Sequence, residues 1–158
     1  MNIKESWVIT LGSSINRTKV DFTRLNKFPV QVQSRTYGKE WAPRLSVSKI
    51  FADQFSVFAL VSKGFSPPGM AELLPSTGNI STDLDAETGV NYEAGLRKRF
   101  FRRLHVSAVA YYFKLQNALV QRRDISGADF FVNAGDANQR GVELELDYSV
   151  PLPSLSAS

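Results

Sequence analysis

Cysteine is absent from the 158 residues, and histidine occurs once, at His105. The first absence removes disulfides and thiolate metal sites. The second leaves too few imidazoles for a zinc or copper centre within the chain. Neither fixes a compartment, because periplasm-facing and cytosolic chains can both do without cysteine. No apolar run approaches the roughly 18 to 20 residues of a membrane-spanning helix. The opening Met1-Asn2-Ile3-Lys4-Glu5-Ser6-Trp7 lacks a signal peptide's apolar core, so an exported protein would carry its export signal outside this chain. A β-barrel survives both absences, since its alternating strands escape hydropathy windows.

The signatures of chemistry are equally scarce. With one histidine and no nucleophile elbow, a Ser-His-Asp hydrolase is not expected, and no phosphate-cradling glycine loop occurs. Glu143 and Glu145 share a strand face and suggest paired catalytic carboxylates, but such neighbours more commonly form a hydrated surface. Asn16-Arg17-Thr18 and Asn79-Ile80-Ser81 match the glycosylation acceptor pattern. No enzymatic activity, no cofactor and no metal site are expected. The net charge of +4 raises the question of nucleic acid. Its densest group, Arg97, Lys98, Arg99, Arg102 and Arg103, is broken by Phe100 and Phe101 and reads as a solvated turn rather than a nucleic-acid footprint.

What the chain has is aromatic and alternating. Phe numbers 11 and Tyr 5, and 43% of the residues are hydrophobic against 22% charged, enough for one ordinary domain and unlike a disordered chain. From Glu87 to Lys98, Thr88, Val90, Tyr92, Ala94 and Leu96 hold one parity, and Glu87, Gly89, Asn91, Glu93, Gly95 and Arg97 the other. Strand side chains alternate with period two, so one face is apolar and the other wet. Gly141 to Tyr148 repeats the pattern, with Val142, Leu144, Leu146 and Tyr148 against Glu143, Glu145 and Asp147. Further strands are expected over Trp7 to Ile15, Arg44 to Phe51, Phe55 to Lys63 and Leu104 to Gln121. Phe130 to Gln139 should lead into the Gly141 strand through a bend at Gly135.

The expected connections alternate in length. Ala52-Asp53-Gln54 and Arg99 to Arg103 are short, Asp124 to Asp129 is intermediate, and Arg17 to Pro43 and Phe65 to Ala86 are long. The long ones gather at one end of the sheet, as in outer-membrane barrels with short periplasmic turns. Strands of about 10 residues also exceed the 5 to 6 usual in soluble sheets. A soluble β-sandwich, for instance a carbohydrate-binding module, alternates in the same way and stays open on this ground. The two readings differ over what covers the apolar face, a second sheet or lipid.

From Ala42 onward the residues narrow the choice. Ala42-Pro43-Arg44-Leu45-Ser46-Val47-Ser48, Val61-Ser62-Lys63-Gly64-Phe65-Ser66-Pro67-Pro68, Met70-Ala71-Glu72-Leu73 and Asp83-Leu84-Asp85-Ala86-Glu87 occur in order. Asn91-Tyr92-Glu93-Ala94-Gly95-Leu96-Arg97, Asn133-Ala134-Gly135 and Arg140-Gly141-Val142-Glu143-Leu144-Glu145 follow. In this order and spacing the chain resembles the distal barrel of a TonB-dependent outer-membrane receptor of the siderophore or iron-complex class. The resemblance implies an all-β fold, an antiparallel meander of about six long strands forming an open segment of a 22-stranded transmembrane β-barrel. It implies that residues 1–158 are a partial barrel domain, with the plug and the other strands outside them. The implied partners are a ferric siderophore or other iron complex, the TonB complex acting through the plug, and outer-membrane lipid. Glu87, Asn91, Glu93 and Arg97 would line the wet interior. Val90, Tyr92, Ala94 and Leu96 would face lipid, and Trp7, Tyr111 and Tyr112 would join an aromatic girdle. The loop Phe65 to Ala86 would face the ligand, with no individual binding residue named.

Overall fold

The computed structural model describes residues 6–25, 28–51, 55–74, 81–101 and 103–150. Six long strands form one antiparallel sheet in the order β1-β2-β3-β4-β5-β8. They are β1 Ser6–Arg24, β2 Gln31–Ile50, β3 Phe55–Ser66, β4 Glu87–Phe100, β5 Leu104–Gln116 and β8 Ala137–Tyr148. One helical turn, α1 Met70–Leu73, lies between β3 and β4. A separate hairpin, β6 Leu119–Arg123 with β7 Asp129–Asn133, lies between β5 and β8. The expected open meander of six long strands is present, with β1 and β8 as its edges.

The first expected long loop is instead strand. β1 and β2 pair without a loop as far as Arg24↔Gln31, leaving 25–30 as the link. Two features hide this from a period-two reading. Pro43 lies inside β2, where it pairs with Ser13 of β1, while the β2–β3 ladder begins one residue later at Arg44↔Ser62. A residue without an N–H is tolerated where one side of the ladder is unpaired. The register also shifts between Asn16↔Glu40 and Thr18↔Tyr37, so Gly38 and Lys39 together oppose Arg17. This bulge reverses the parity of β2 and masks the alternation beyond it.

Leu104 to Gln121 is likewise not one strand. The chain breaks at Asn117, whose φ is 57°, and β6 starts a new sheet. Asp124 to Asp129 is then the tip of the β6–β7 hairpin, and Phe130 belongs to β7 rather than to the strand through Gly141. Gly135, with φ of 124°, marks the bend into β8 as expected. The ends of the sheet still differ as foreseen: the strand ends Arg24, Gln31, Ser66, Glu87, Gln116 and Ala137, which the longer connections join, lie at one end, and Ile50, Phe55, Phe100 and Leu104, joined by short ones, at the other. Ala52-Asp53-Gln54, Arg102, Asn79-Ile80, Met1 to Glu5 and Pro151 to Ser158 lie outside the described residues.

Burial is confined to the end with the long connections. The buried apolar side chains among the described residues are Phe22, Tyr37, Leu73, Leu84 and Ala86. Phe22, Leu73 and Leu84 form a small core backed by Val20, Leu119 and Phe131. Through the body of the sheet nothing described covers the apolar face: Leu11 is 78% exposed and Val142 77%. A sandwich would bury these residues beneath a second sheet.

Candidate functional site

The pairing register sorts the strands into two faces. Leu11, Leu45, Val61, Tyr92, Tyr112 and Arg140 follow one another across the six strands as direct partners. A second such row runs Trp7, Lys49, Val57, Leu96, Ala108 and Leu144. These side chains share a face, which is apolar over most of its height. Val90, Tyr92, Ala94 and Leu96 lie on it, as expected. So do Trp7 and Tyr112, and the Tyr92 and Tyr112 rings meet at 6.3 Å. Tyr111 does not join them. It pairs with Glu93 and Gly141 on the opposite face, because adjacent strand residues point in opposite directions.

The apolar band crosses the strands obliquely. At the loop end it reaches Ile15 on β1, but on β8 it stops at Val142, below Arg140. Ile15 lies four residues beyond Leu11, and Val142 two residues short of the same row's Arg140, a drift of six residues over five strand steps. At about 3.3 Å per residue and 4.8 Å per strand, a level band requires strands tilted by about 40°. Closed membrane barrels tilt their strands by about 35–45°.

The other face is polar. Asn91, Glu93 and Arg97 of β4 share it with Ser107, Tyr111, Glu143, Glu145 and Asp147. The Asn91 amide donates to Glu93 at 2.6 Å, and Arg97 lies 4.7 Å over the Phe58 ring. Arg99 donates to the lone histidine, His105. Glu143 and Glu145 stand on this open face with Glu93 and Arg97 nearby. Among the described residues no group of three metal-ligating side chains forms.

Above the sheet the connections are tied together. Asn133 accepts from the Asp85 backbone N–H at 2.8 Å, and its amide donates to Asp85 O at 3.1 Å and Asn117 O at 2.8 Å. Arg35 reaches Leu84 O at 3.4 Å and the Asp85 carboxylate at 3.2 Å. Glu87, expected in the open interior, accepts the Leu119 N–H at 2.7 Å. Leu84 and Asp85 are thereby fastened to β2 on one side and to the β6–β7 hairpin on the other. Burial pushes the Tyr37 phenol up, although Arg35 sits 5.5 Å from its ring. At the hairpin tip Asp124 accepts from Ser126 Oγ at 2.6 Å and Ala128 N at 2.9 Å, which holds its carboxyl below the usual range. None of these ties was anticipated: Arg35 and Asp85 are 50 residues apart, and no local pattern announces such a pair.

A family model for "TonB dependent receptor-like, beta-barrel" matches residues 1–157. Among solved structures the chain is similar to the copper transporter OprC, with a TM-score of 0.70 at 18% identity over 92% of this chain and 25% of that one. It is similar to the siderophore receptor PirA from Pseudomonas aeruginosa, with a TM-score of 0.62 at 22% identity over 90% of this chain and 32% of that one. A third likeness is a double mutant of the Serratia marcescens hemophore receptor HasR, in complex with its hemophore HasA and heme. There the TM-score is 0.61 at 16% identity, over 92% of this chain and 29% of that one. At these identities the likeness is one of fold. The chain spans 25% to 32% of the length of these structures. No curated protein matches it.

Proposed function

The chain belongs to the β-barrel family of TonB-dependent receptors, and from that membership we propose that its sheet is part of the wall of an outer-membrane transporter. Residues 1–158 then form a partial barrel domain. The apolar face meets lipid, and the polar face of Asn91, Glu93, Arg97, Glu143 and Glu145 meets the lumen and the plug held there. The oblique apolar band carries this reading, because its drift matches the strand tilt that closure of such a barrel requires.

The cargo is a ferric siderophore or similar iron complex, admitted when TonB acts on the plug. The named structures handle copper, a siderophore and heme, so iron rests on the resemblance of the motifs from Ala42 to Glu145 to the siderophore or iron-complex class. A siderophore arrives with its ligands already on the metal. The tied loop 67–86 and the β6–β7 hairpin form the outward-facing surface the complex meets first. Uptake of labelled ferric siderophore, heme and copper should be compared in cells with active and inactive TonB. TonB-dependent iron-siderophore uptake is expected. Uptake of copper or heme alone would replace the cargo, and uptake indifferent to TonB would sink the reading.

A further inference from the structure

We propose that the distal part of β2, from Gln31 to Tyr37, is a strand-addition site for an extended polypeptide segment of another protein. The inference rests on the wall reading for where the site lies, outside the membrane, and adds a macromolecular partner to it. β2 sits between β1 and β3 in the sheet, yet only β1 accompanies it to its distal end. The β2–β3 ladder stops at Arg44↔Ser62. β3 runs on from Lys63 to Ser66, paired there with β4 alone. Pro43, which has no N–H to donate, stands at the parting. This edge therefore opens within the chain's own strand order. Strands that pair with β1 and β8 to complete a barrel leave it free.

In a two-stranded antiparallel ladder, alternate residues turn both backbone groups away from the partner. Along Gln31 to Tyr37, roughly 20 Å of strand, those groups meet no other backbone among the described residues. The connection beyond β3 does not cover them. Leu73 and Leu84 pack on Phe22, and Arg35 reaches Leu84 O and Asp85, so that connection rests on one face of the hairpin. Val32, Gln33, Ser34 and Thr36 stay exposed. Natural sheets blunt a free edge with lysine, proline or a bulge. β2 has these devices nearer the body of the sheet, in Pro43 and the bulge at Gly38 and Lys39, and none from Gln31 to Tyr37. The pairing from Thr18↔Tyr37 to Arg24↔Gln31 is unbroken. A row of N–H and C=O groups at strand spacing is matched by another extended backbone, not by a lipid or a metal complex. Val30 and Val32, exposed beside it, cover apolar side chains at every second position of the added strand.

The test uses the full chain refolded with phosphatidylcholine vesicles. The chain has no cysteine, so Ser34→Cys reports on its own surroundings alone. The probe is a heptapeptide of alternating threonine and valine, its central valine replaced by a cysteine activated as a mixed disulfide. N-methylation of every second amide leaves this peptide one pairing edge, and a fully N-methylated copy has none. Two net backbone hydrogen bonds are worth about tenfold in affinity, so the half-methylated peptide should cross-link Ser34→Cys about tenfold faster than its fully methylated copy. At Ser46→Cys, where Leu60 of β3 covers the same edge, the two peptides should react alike. Far-UV circular dichroism checks each variant for strand. If Ser34→Cys loses it, Thr36→Cys on the same face takes its place. Equal rates for the two peptides at residue 34, or the same preference at residue 46, would overturn the edge. Flotation with the vesicles scores the wall separately. A chain that floats but treats the peptides alike loses the edge only, and one that prefers the half-methylated peptide without floating loses the wall only.

Discussion

Asn133 satisfies three backbone groups drawn from two connections. Asn133→Leu keeps the bulk but leaves the Asp85 N–H and the Asn117 carbonyl without partners. Local stability at the loop should fall by about 1–3 kcal/mol, seen as faster amide exchange at Asp85 with little change in the six-stranded sheet. Asp124 gives a pH-dependent counterpart. Hydrogen bonds from Ser126 first, then Ala128, hold its carboxyl below the ordinary 3.8. A group with a depressed folded value lends support that is complete above its ordinary value and disappears as pH falls through the folded one. The amides of Ser126 and Ala128 should therefore be protected at neutral pH and lose protection only below about 3.8. Asp124→Asn should flatten that dependence.

At the scale of elements, aromatic rings lie over glycines on neighbouring strands of the polar face. A Cβ at Gly95 would sit 2.7 Å from both the Phe58 ring and the Ala108 carbonyl oxygen. At Gly141 it would meet the end of the Tyr111 side chain at 2.7 Å. A ring tip can swing aside and a paired backbone cannot. Gly95→Ala should lower stability by about 1–3 kcal/mol through overpacking, and Gly141→Ala by clearly less, in parallel thermal unfolding of the two variants. Strict alternation made β4 and β8 legible from sequence, and β3 and the first part of β5 were expected beside them without it. So was the length asymmetry of the connections. The distal halves of β1 and β2 were not, because one inserted residue and one proline erase period two where the ladder continues. Tyr111 misled for a related reason: two adjacent tyrosines read as a girdle, yet neighbours on a strand cannot share a face. The loop cluster was invisible, since its contacts join residues tens of positions apart through side-chain amides and guanidinium groups.

For the molecule as a whole, the two faces answer to different surroundings under the proposed wall. Ala110→Arg puts a charge in the middle of the apolar band and should cost about 2–4 kcal/mol in a membrane-inserted state. Ser107→Arg, on the wet face beside Glu145, should cost far less. Urea titration of the refolded protein in lipid vesicles compares them, and equal costs would argue against a lipid-facing band. The β2 bulge carries a separate consequence. Gly38 is a residue in reserve: without it, Lys39 opposes Arg17, Tyr37 still opposes Thr18, and every side chain beyond keeps its face. A one-residue deletion there should thus be accepted by the ladder, while the extra bend the bulge gives the hairpin disappears. The straightened tip would swing Phe22 away from Leu73 and Leu84. In this family's wall, a change of one residue in strand length can re-aim an outer hairpin without disturbing the sheet that carries it.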